Sequence, residues 1–371
     1  MSIDSPRHAA EADTGHWWQT VQQAFILPLL ALLLALVVGG IILAIAGYNP
    51  FHAYVLIWQG VFGSQRTFSE VLLKATPLIF TGAGIAIAFR CGVWNIGAEG
   101  QFYLGAIAAT WVGVNGAGLP AMVLVPAVLG AGFAAGGAWA VIPGWLKVRF
   151  KLNEVVTTIM LNYIAIGLAS YLVTGPMQES THVFPQTDEI AAGARLLRIW
   201  LPTRLHLGFV IALGLALALT IVLFRTPLGY ALRTVGLSPN TARYAGISVE
   251  RNMVMAMLLS GGSAGLGGAV EIAGLTWRLF ATISPGYGFD GIAVSLLASN
   301  NPLGTILSGL LFGALRASSE LMQMNAQIPS VLTLIIQGLA IAFVVAFGVM
   351  GQRRALRRKA APLTAEASQQ P

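Results

Sequence analysis

An all-α, polytopic membrane bundle of about ten transmembrane segments is the fold class this sequence predicts, and three observations predict it. Of 371 residues only 9% are charged, against about 25% in a soluble domain. Hydrophobic residues make up 56% and mean hydropathy is +0.75, more apolar surface than a soluble fold of this size covers with polar groups. Apolar runs of about 20 residues recur along the chain, the length that crosses a hydrocarbon core of about 30 Å.

The first run, 24–47, follows His16, Trp17 and Trp18, residues that suit the membrane interface. The stretch before it mixes Asp4, Glu11 and Asp13 with Arg7 and lacks a cleavage pattern, so 1–23 reads as a cytoplasmic N-terminal segment rather than a signal peptide. Further runs fall at 68–89, 99–117, 119–144, 154–174, 206–224, 252–274, 286–300, 303–322 and 328–350. Those at 99–117 and 286–300 are short and interrupted by glycine. Such helices, re-entrant or fully spanning, are tolerated where they line a path. The 43 glycines, with small residues at four-residue spacing in 130–137 and 261–268, predict close helix packing.

A single transmembrane domain, 24–350, follows, with a basic cytoplasmic tail at 351–371. Its long connections are 175–205 and 225–250. The second has helix-compatible stretches at 228–235 and 241–245 and breaks at Gly236, Pro239 and Gly246, which predicts short helices lying across the membrane surface. Basic residues gather on its side: Lys147, Arg149, Lys151, Arg225, Arg233, Arg243, Arg251 and the tail residues Arg353 to Lys359. On the other side stand Arg66, Arg195, Arg198, Arg204 and Arg278. By the positive-inside rule both termini are cytoplasmic. The tail could also bind acidic lipid. The basic excess is thus one of orientation, and no nucleic-acid partner is expected.

Several chemistries are excluded. The lysines Lys74, Lys147, Lys151 and Lys359 follow Leu73, Leu146, Phe150 and Arg358, so there is no Gly-Lys-Ser/Thr phosphate loop, and any ATP must be bound by another polypeptide. His8, His16, His52, His182 and His206 form no helical metal pair, and Cys91 is the one cysteine. The chain is expected to be neither an enzyme nor a holder of a cofactor.

What polarity remains is concentrated. The segment Arg90-Cys91-Gly92-Val93-Trp94-Asn95-Ile96-Gly97-Ala98-Glu99-Gly100-Gln101 lies between two apolar runs. Non-helical backbone there needs partners from protein or from a water-filled path. Asn95 as an N-cap and Glu99 in a first helical turn is the structural reading; lining the path is the functional one. Asp290, between Gly288 and Gly291, repeats the ambiguity, and Phe289-Asp290-Gly291 echoes Ala98-Glu99-Gly100 closely enough to predict an internal repeat. Asn153, Glu154, Thr157, Thr158 and Asn162 form a polar stripe suited to interhelical hydrogen bonds or to a sugar hydroxyl. The spacing of Glu70 with Lys74, and of Arg316 with Glu320, predicts local ion pairs. From these groups, Asn95, Glu99, Gln101, Thr157, Asn162 and Asp290 are the candidate substrate-pathway residues.

The stretches Trp94 to Gln101, Asn153-Glu154-Val155-Val156-Thr157-Thr158-Ile159-Met160-Leu161-Asn162-Tyr163, Arg233-Thr234-Val235-Gly236, Ala242-Arg243-Tyr244-Ala245-Gly246-Ile247 and Gly288-Phe289-Asp290-Gly291-Ile292-Ala293 resemble the permease subunits of bacterial ATP-binding cassette importers. The likeness spans roughly 25–350 and lies in the branch for simple sugars, nucleosides and branched-chain amino acids, nearest the nucleoside-type permeases. It implies alternating access in the bacterial inner membrane. It also implies three partners: a cytoplasmic ATPase, a substrate-binding protein or lipoprotein, and a second permease, either a related chain or another copy. Residues 226–247 would be the coupling loop, with Arg233, Gly236, Asn240, Ala242, Arg243, Tyr244 and Gly246 facing the ATPase or shaping the loop. A branched-chain amino-acid or ribose permease of the same branch is the nearest rival, and an ion-driven secondary transporter or channel the rival from another class.

Overall fold

The computed structural model describes residues 27–329, together with 331–332, 334–336, 338–339, 342–343 and 346. The segment 1–23, its anchors His16, Trp17 and Trp18, and the tail 351–371 lie outside the described residues. Those described form helices and loops without a β-strand. In chain order the helices are α1 (Leu27–Ile45), α2 (Pro50–Phe62), α3 (Gln65–Arg90), α4 (Ala98–Asn115), α5 (Ala121–Phe150), α6 (Glu154–Thr174), α7 (Gly208–Arg225), α8 (Pro227–Leu237), α9 (Pro239–Tyr244), α10 (Val249–Glu271), α11 (Tyr287–Leu297) and α12 (Gly304–Ala326). A π-helical turn, Ile272–Thr276, continues α10.

Each apolar run that falls on described residues becomes a helix, and local chemistry sets several starts. Ser64 and Thr67 form a capping box on α3, with Thr67 N donating to Ser64 Oγ at 3.1 Å and Ser64 N to Thr67 Oγ1 at 3.0 Å. Asn153 Oδ1 caps α6 by accepting from Val155 N at 2.9 Å. Proline in the first turn, with Thr226 or Ser238 as cap, starts α8 and α9. The short helix α2 was not foreseen: its 13 residues include His52 and Gln59, so it offers no membrane-length apolar run. Among the described residues five helices are long and apolar enough to cross a membrane: Gln65–Arg90, Ala121–Phe150, Glu154–Thr174, Gly208–Arg225 and Val249–Thr276. Polar residues such as Glu99, Gln101, Arg316 and Glu320 keep α4 and α12 out of that set.

By its contacts the chain divides into two compact units. One joins 1–55 to 322–371. Within it Ala35, Leu43 and Ala53 are buried, Tyr54 donates its hydroxyl to Leu36 O, and Gly39 lies against Ile336. The other is Leu56–Leu321. Its centre is α10, packed on α3, α4 and α5. The expected glycine packing is what draws these helices together. A Cβ on Gly105 of α4 would strike the Gly265 carbonyl of α10, and one on Gly136 of α5 would strike the Gly261 carbonyl. Backbone meets backbone at these points, where even a methyl group has no room.

The connection 175–207 folds as a cap on the chain just past α10. Thr187 N donates to Leu279 O at 3.1 Å, Ile190 N to Trp277 O at 2.9 Å and Leu196 N to Ala273 O at 2.8 Å. Arg278 bridges Glu179 at 3.2 Å and Glu189 at 3.1 Å. The Arg278 and Arg195 bonds hold the Glu189 carboxyl below the usual carboxylate range. His206 is buried at the foot of this cap, beside Gly274, and its Nδ1 accepts from Gly208 N at 3.1 Å.

Two outcomes follow. Replacing Gly265 with Ala forces α10 away from α5, and overpacking of this kind costs roughly 1–3 kcal/mol. A melt of the detergent-solubilised protein should fall by several degrees, whereas Gly214→Ala, with open space around it, should leave the melt unchanged. Burial, reinforced by the Arg198 charge, pushes the His206 imidazole down to about 4. The unfolded chain, titrating near 6.5, therefore takes up this proton first, and stability falls as pH drops from about 6.5 toward 4, by roughly 2 kcal/mol at pH 5. Melts at pH 7.5 and 5 should differ for the native chain and differ less for His206→Gln.

Candidate functional site

The polar turn between α3 and α4 is held by side chains of α4, α6 and α10. The N-cap of α4 is Gly97, with no side-chain cap, which corrects the expectation that Asn95 fills that role. Asn95 instead binds across the bundle. Its Nδ2 donates to Gln101 Oε1 at 2.9 Å and to Ser260 Oγ of α10 at 2.8 Å, while its Oδ1 accepts from Gly97 N at 3.0 Å and Gln101 Nε2 at 2.9 Å. That uses every hydrogen-bonding position an amide has. From α6, Asn162 Oδ1 accepts from Gly100 N and its Nδ2 donates to Ile96 O, each at 2.8 Å. Two asparagines thus satisfy a stretch of irregular backbone that lipid could not.

Glu99 lies in the first turn of α4 and reaches a second helix. Its Oε2 accepts from Gly288 N, in the first turn of α11, at 2.6 Å. Gly288 is pressed so closely on the Glu99 backbone that a Cβ would clash. One carboxylate therefore serves the positive ends of both short helices. This gives the Glu99 and Asp290 echo a physical meaning, since both acids open short helices and the two openings abut. Asp290 itself accepts from Arg316 Nε at 2.8 Å, and Arg316 also donates to Pro285 O at 3.0 Å.

Thr157 is not brought into the cluster. It is half-buried, and its hydroxyl donates to Asn153 O and Glu154 O within its own helix. Its neighbour Thr158 is the buried one, lying beside Gly97. The expected local ion pairs are also replaced. Glu70 takes a two-pronged bond from Arg204, Lys74 pairs with Glu320 at 2.9 Å, and Arg316 pairs with Asp290 at 2.7 Å. A pair four residues apart contributes only a few tenths of a kcal/mol, so charge-assisted tertiary partners win. Among the described residues no group of three His, Cys, Asp or Glu side chains could hold a metal ion.

Beside the start of the α3–α4 turn, α8 and α9 project between α7 and α10. Tyr244 is 94% and Leu237 88% exposed, and Asn240 and Arg243 are exposed beside them. Arg243 pairs with Glu250 at 2.8 Å, and Ala242 is buried. Gly246, at φ +76°, makes the turn back toward α10 that only glycine adopts easily. Arg233 lies over the Phe224 ring at 5.3 Å. Gly236 packs directly on the Arg90 carbonyl at the end of α3. Arg90 in turn donates to Asn300 O at 2.9 Å and Ser299 O at 3.1 Å, the left-handed turn after α11. The sequence singled out neither Arg90 nor Ser260, because both act through partners more than 160 residues away.

Comparison with known proteins adds a lineage to this geometry. The family described as branched-chain amino acid transport system / permease component matches residues 67–345. The guanosine ABC transporter permease protein NupP of Bacillus subtilis is 38% identical over 86% of this chain and 92% of its own. The glucose ABC transporter permease protein TsgB13 of Haloferax volcanii is 38% identical over 87% of each. A second Bacillus subtilis protein, the guanosine ABC transporter permease protein NupQ, is 27% identical over 70% of this chain and 84% of its own. No solved structure matches the chain.

The seat of Gly236 on Arg90 can be tested alone. Gly236→Val should lift α8, so that amides in 227–247 exchange roughly tenfold faster or more, as expected for overpacking. Hydrogen exchange with mass spectrometry reads this directly, and Gly214→Val provides the silent comparison.

Proposed function

The chain belongs to the branched-chain amino acid transport system / permease component family, and within it we propose the membrane-spanning subunit of an ATP-driven importer for nucleosides or simple sugars. The observation that carries the reading is the exposed α8–α9 projection, seated through Gly236 on the turn that leads into the polar cluster. A separate cytoplasmic ATPase would press on Leu237, Asn240, Arg243 and Tyr244, with Arg233, Gly236, Ala242 and Gly246 keeping the projection in shape. Its movement would reach Asn95, Glu99, Gln101 and Asn162 through the α3–α4 turn. These four would form the closed joint of the path, because they are buried and bond from one helix to the next. Thr157 and Asp290 stay in the proposal as wall residues that meet substrate when the halves part.

The 175–207 cap is assigned to the outer face, where a binding protein or lipoprotein delivers substrate, and both termini to the cytoplasm of a bacterial inner membrane. About ten segments, counting the short helices, would complete the span set. The second permease is proposed to be a related chain rather than a second copy. In Bacillus subtilis two guanosine permease proteins match, one at 38% and the other at 27%, which suits a pair of unlike subunits. Guanosine and glucose in the relatives' names favour nucleosides or sugars, while the family's description keeps a branched-chain amino-acid substrate as the second reading.

Gentle detergent extraction from the native cells should recover a P-loop ATPase and a second permease with the tagged chain, and deleting 226–247 should lose the ATPase. ATP-dependent uptake of labelled guanosine should be competed by unlabelled nucleoside more than by ribose or leucine. Competition by leucine alone would move the reading to amino acids. Uptake that follows an ion gradient without ATP would overturn it.

A further inference from the structure

Three carboxylates are buried among the described residues: Glu99, Glu179 and Glu271. Two of them are satisfied. Glu99 takes the Gly288 amide, and Glu179 takes Thr181, Phe184, Gln186 and Arg278. Glu271 is only 7% exposed, and its carboxylate has no hydrogen-bond or ion-pair partner among the described residues. The cations whose charge it feels are Lys74 and Arg204. Both are already bound to other acids, Lys74 to Glu320 and Arg204 to Glu70.

Its place is equally specific. Glu271 is the last residue of α10 before the π turn, an irregularity that recurs at functional sites. Gly267 and Gly268, one helical turn earlier on the same face, lie against Phe80 and the Phe102 backbone. Glu271 therefore looks toward α3 and α4, one turn nearer the 175–207 cap. The Tyr287 ring, 5.8 Å from Phe102, shares its field. A buried, unpaired carboxylate in a membrane bundle is strongly unfavourable unless something supplies its donors.

We propose that Glu271 is a substrate-selecting residue of the outer path, a carboxylate that accepts two adjacent donors from the transported molecule. The inference rests on the importer reading. Two parts of a nucleoside present such donors: the vicinal hydroxyls of the ribose, and the N1–H with the 2-amino group of guanine. A site built on hydrogen bonds to substrate discriminates sharply against analogues that lack them. Glu271 is largely buried here, so full contact comes as the two halves part.

The experiment uses the intact complex in membrane vesicles, with uptake of labelled guanosine, 2′-deoxyguanosine and inosine by the native chain and by Glu271→Gln. Glu271→Gln should raise KM for guanosine roughly tenfold with a smaller change in the maximal rate. It should also bring one analogue level with guanosine: 2′-deoxyguanosine if the hydroxyls are the donors, inosine if the base edge is. Glu271→Asp, which keeps the charge, should retain the native order of preference and guards against a Gln variant that fails to assemble. Unchanged KM and unchanged preference in Glu271→Gln would overturn the proposal alone. No ATP-dependent uptake of any of the three by the native complex would overturn the importer reading, and the proposal with it.

Discussion

Contact between bare backbones is what the larger unit rests on. Where Gly105 meets Gly265, and Gly136 meets Gly261, α10 comes nearer to α4 and α5 than any side chain would allow. In lipid there is little hydrophobic gain from helix association, so close packing and interhelical hydrogen bonds must supply it. The second follows from the first. Asn95 on the α3–α4 turn reaches Ser260 of α10 at 2.8 Å because the glycine faces have already drawn the helices together. Without that approach the irregular backbone at 91–97 would lose the partners that let it exist away from water.

The helix openings and the projection solve different problems. Around Glu99 and Gly288 the helix openings are locked face to face, and each polar group is matched. On the α8–α9 projection the reverse holds, for Leu237 and Tyr244 stand in the open beside exposed polar neighbours. Burial and matched hydrogen bonds mark the first, and exposed apolar side chains the second.

Much of this was legible in the sequence, for reasons specific to each element. Apolar runs fixed the long helices because the hydrocarbon core sets their length. The pairing of proline with a Thr or Ser cap made α8 and α9 readable, and Gly246 announced its turn. The polar stretch 90–101 stood out against its surroundings, and Asn95, Glu99, Gln101 and Asn162 do meet there. What stayed hidden depends on distance along the chain. Glu70 and Lys74 look like partners at four-residue spacing, yet Arg204 and Glu320 take them. Ser260 is one serine among many until the fold brings it to Asn95. The helix α2 escaped because its 13 residues are too few to register as a span.

Arg90 has a consequence for timing. Its carbonyl bears Gly236 of α8, while its guanidinium holds the carbonyls of Ser299 and Asn300 beyond α11. One residue therefore gears the projection to both short helices at once, to α4 through the chain itself and to α11 through two hydrogen bonds. Any displacement of α8 would thus be passed to the two helices together rather than to one after the other. A motion of α4 without α11 would have to break the bonds of Arg90 to Ser299 and Asn300.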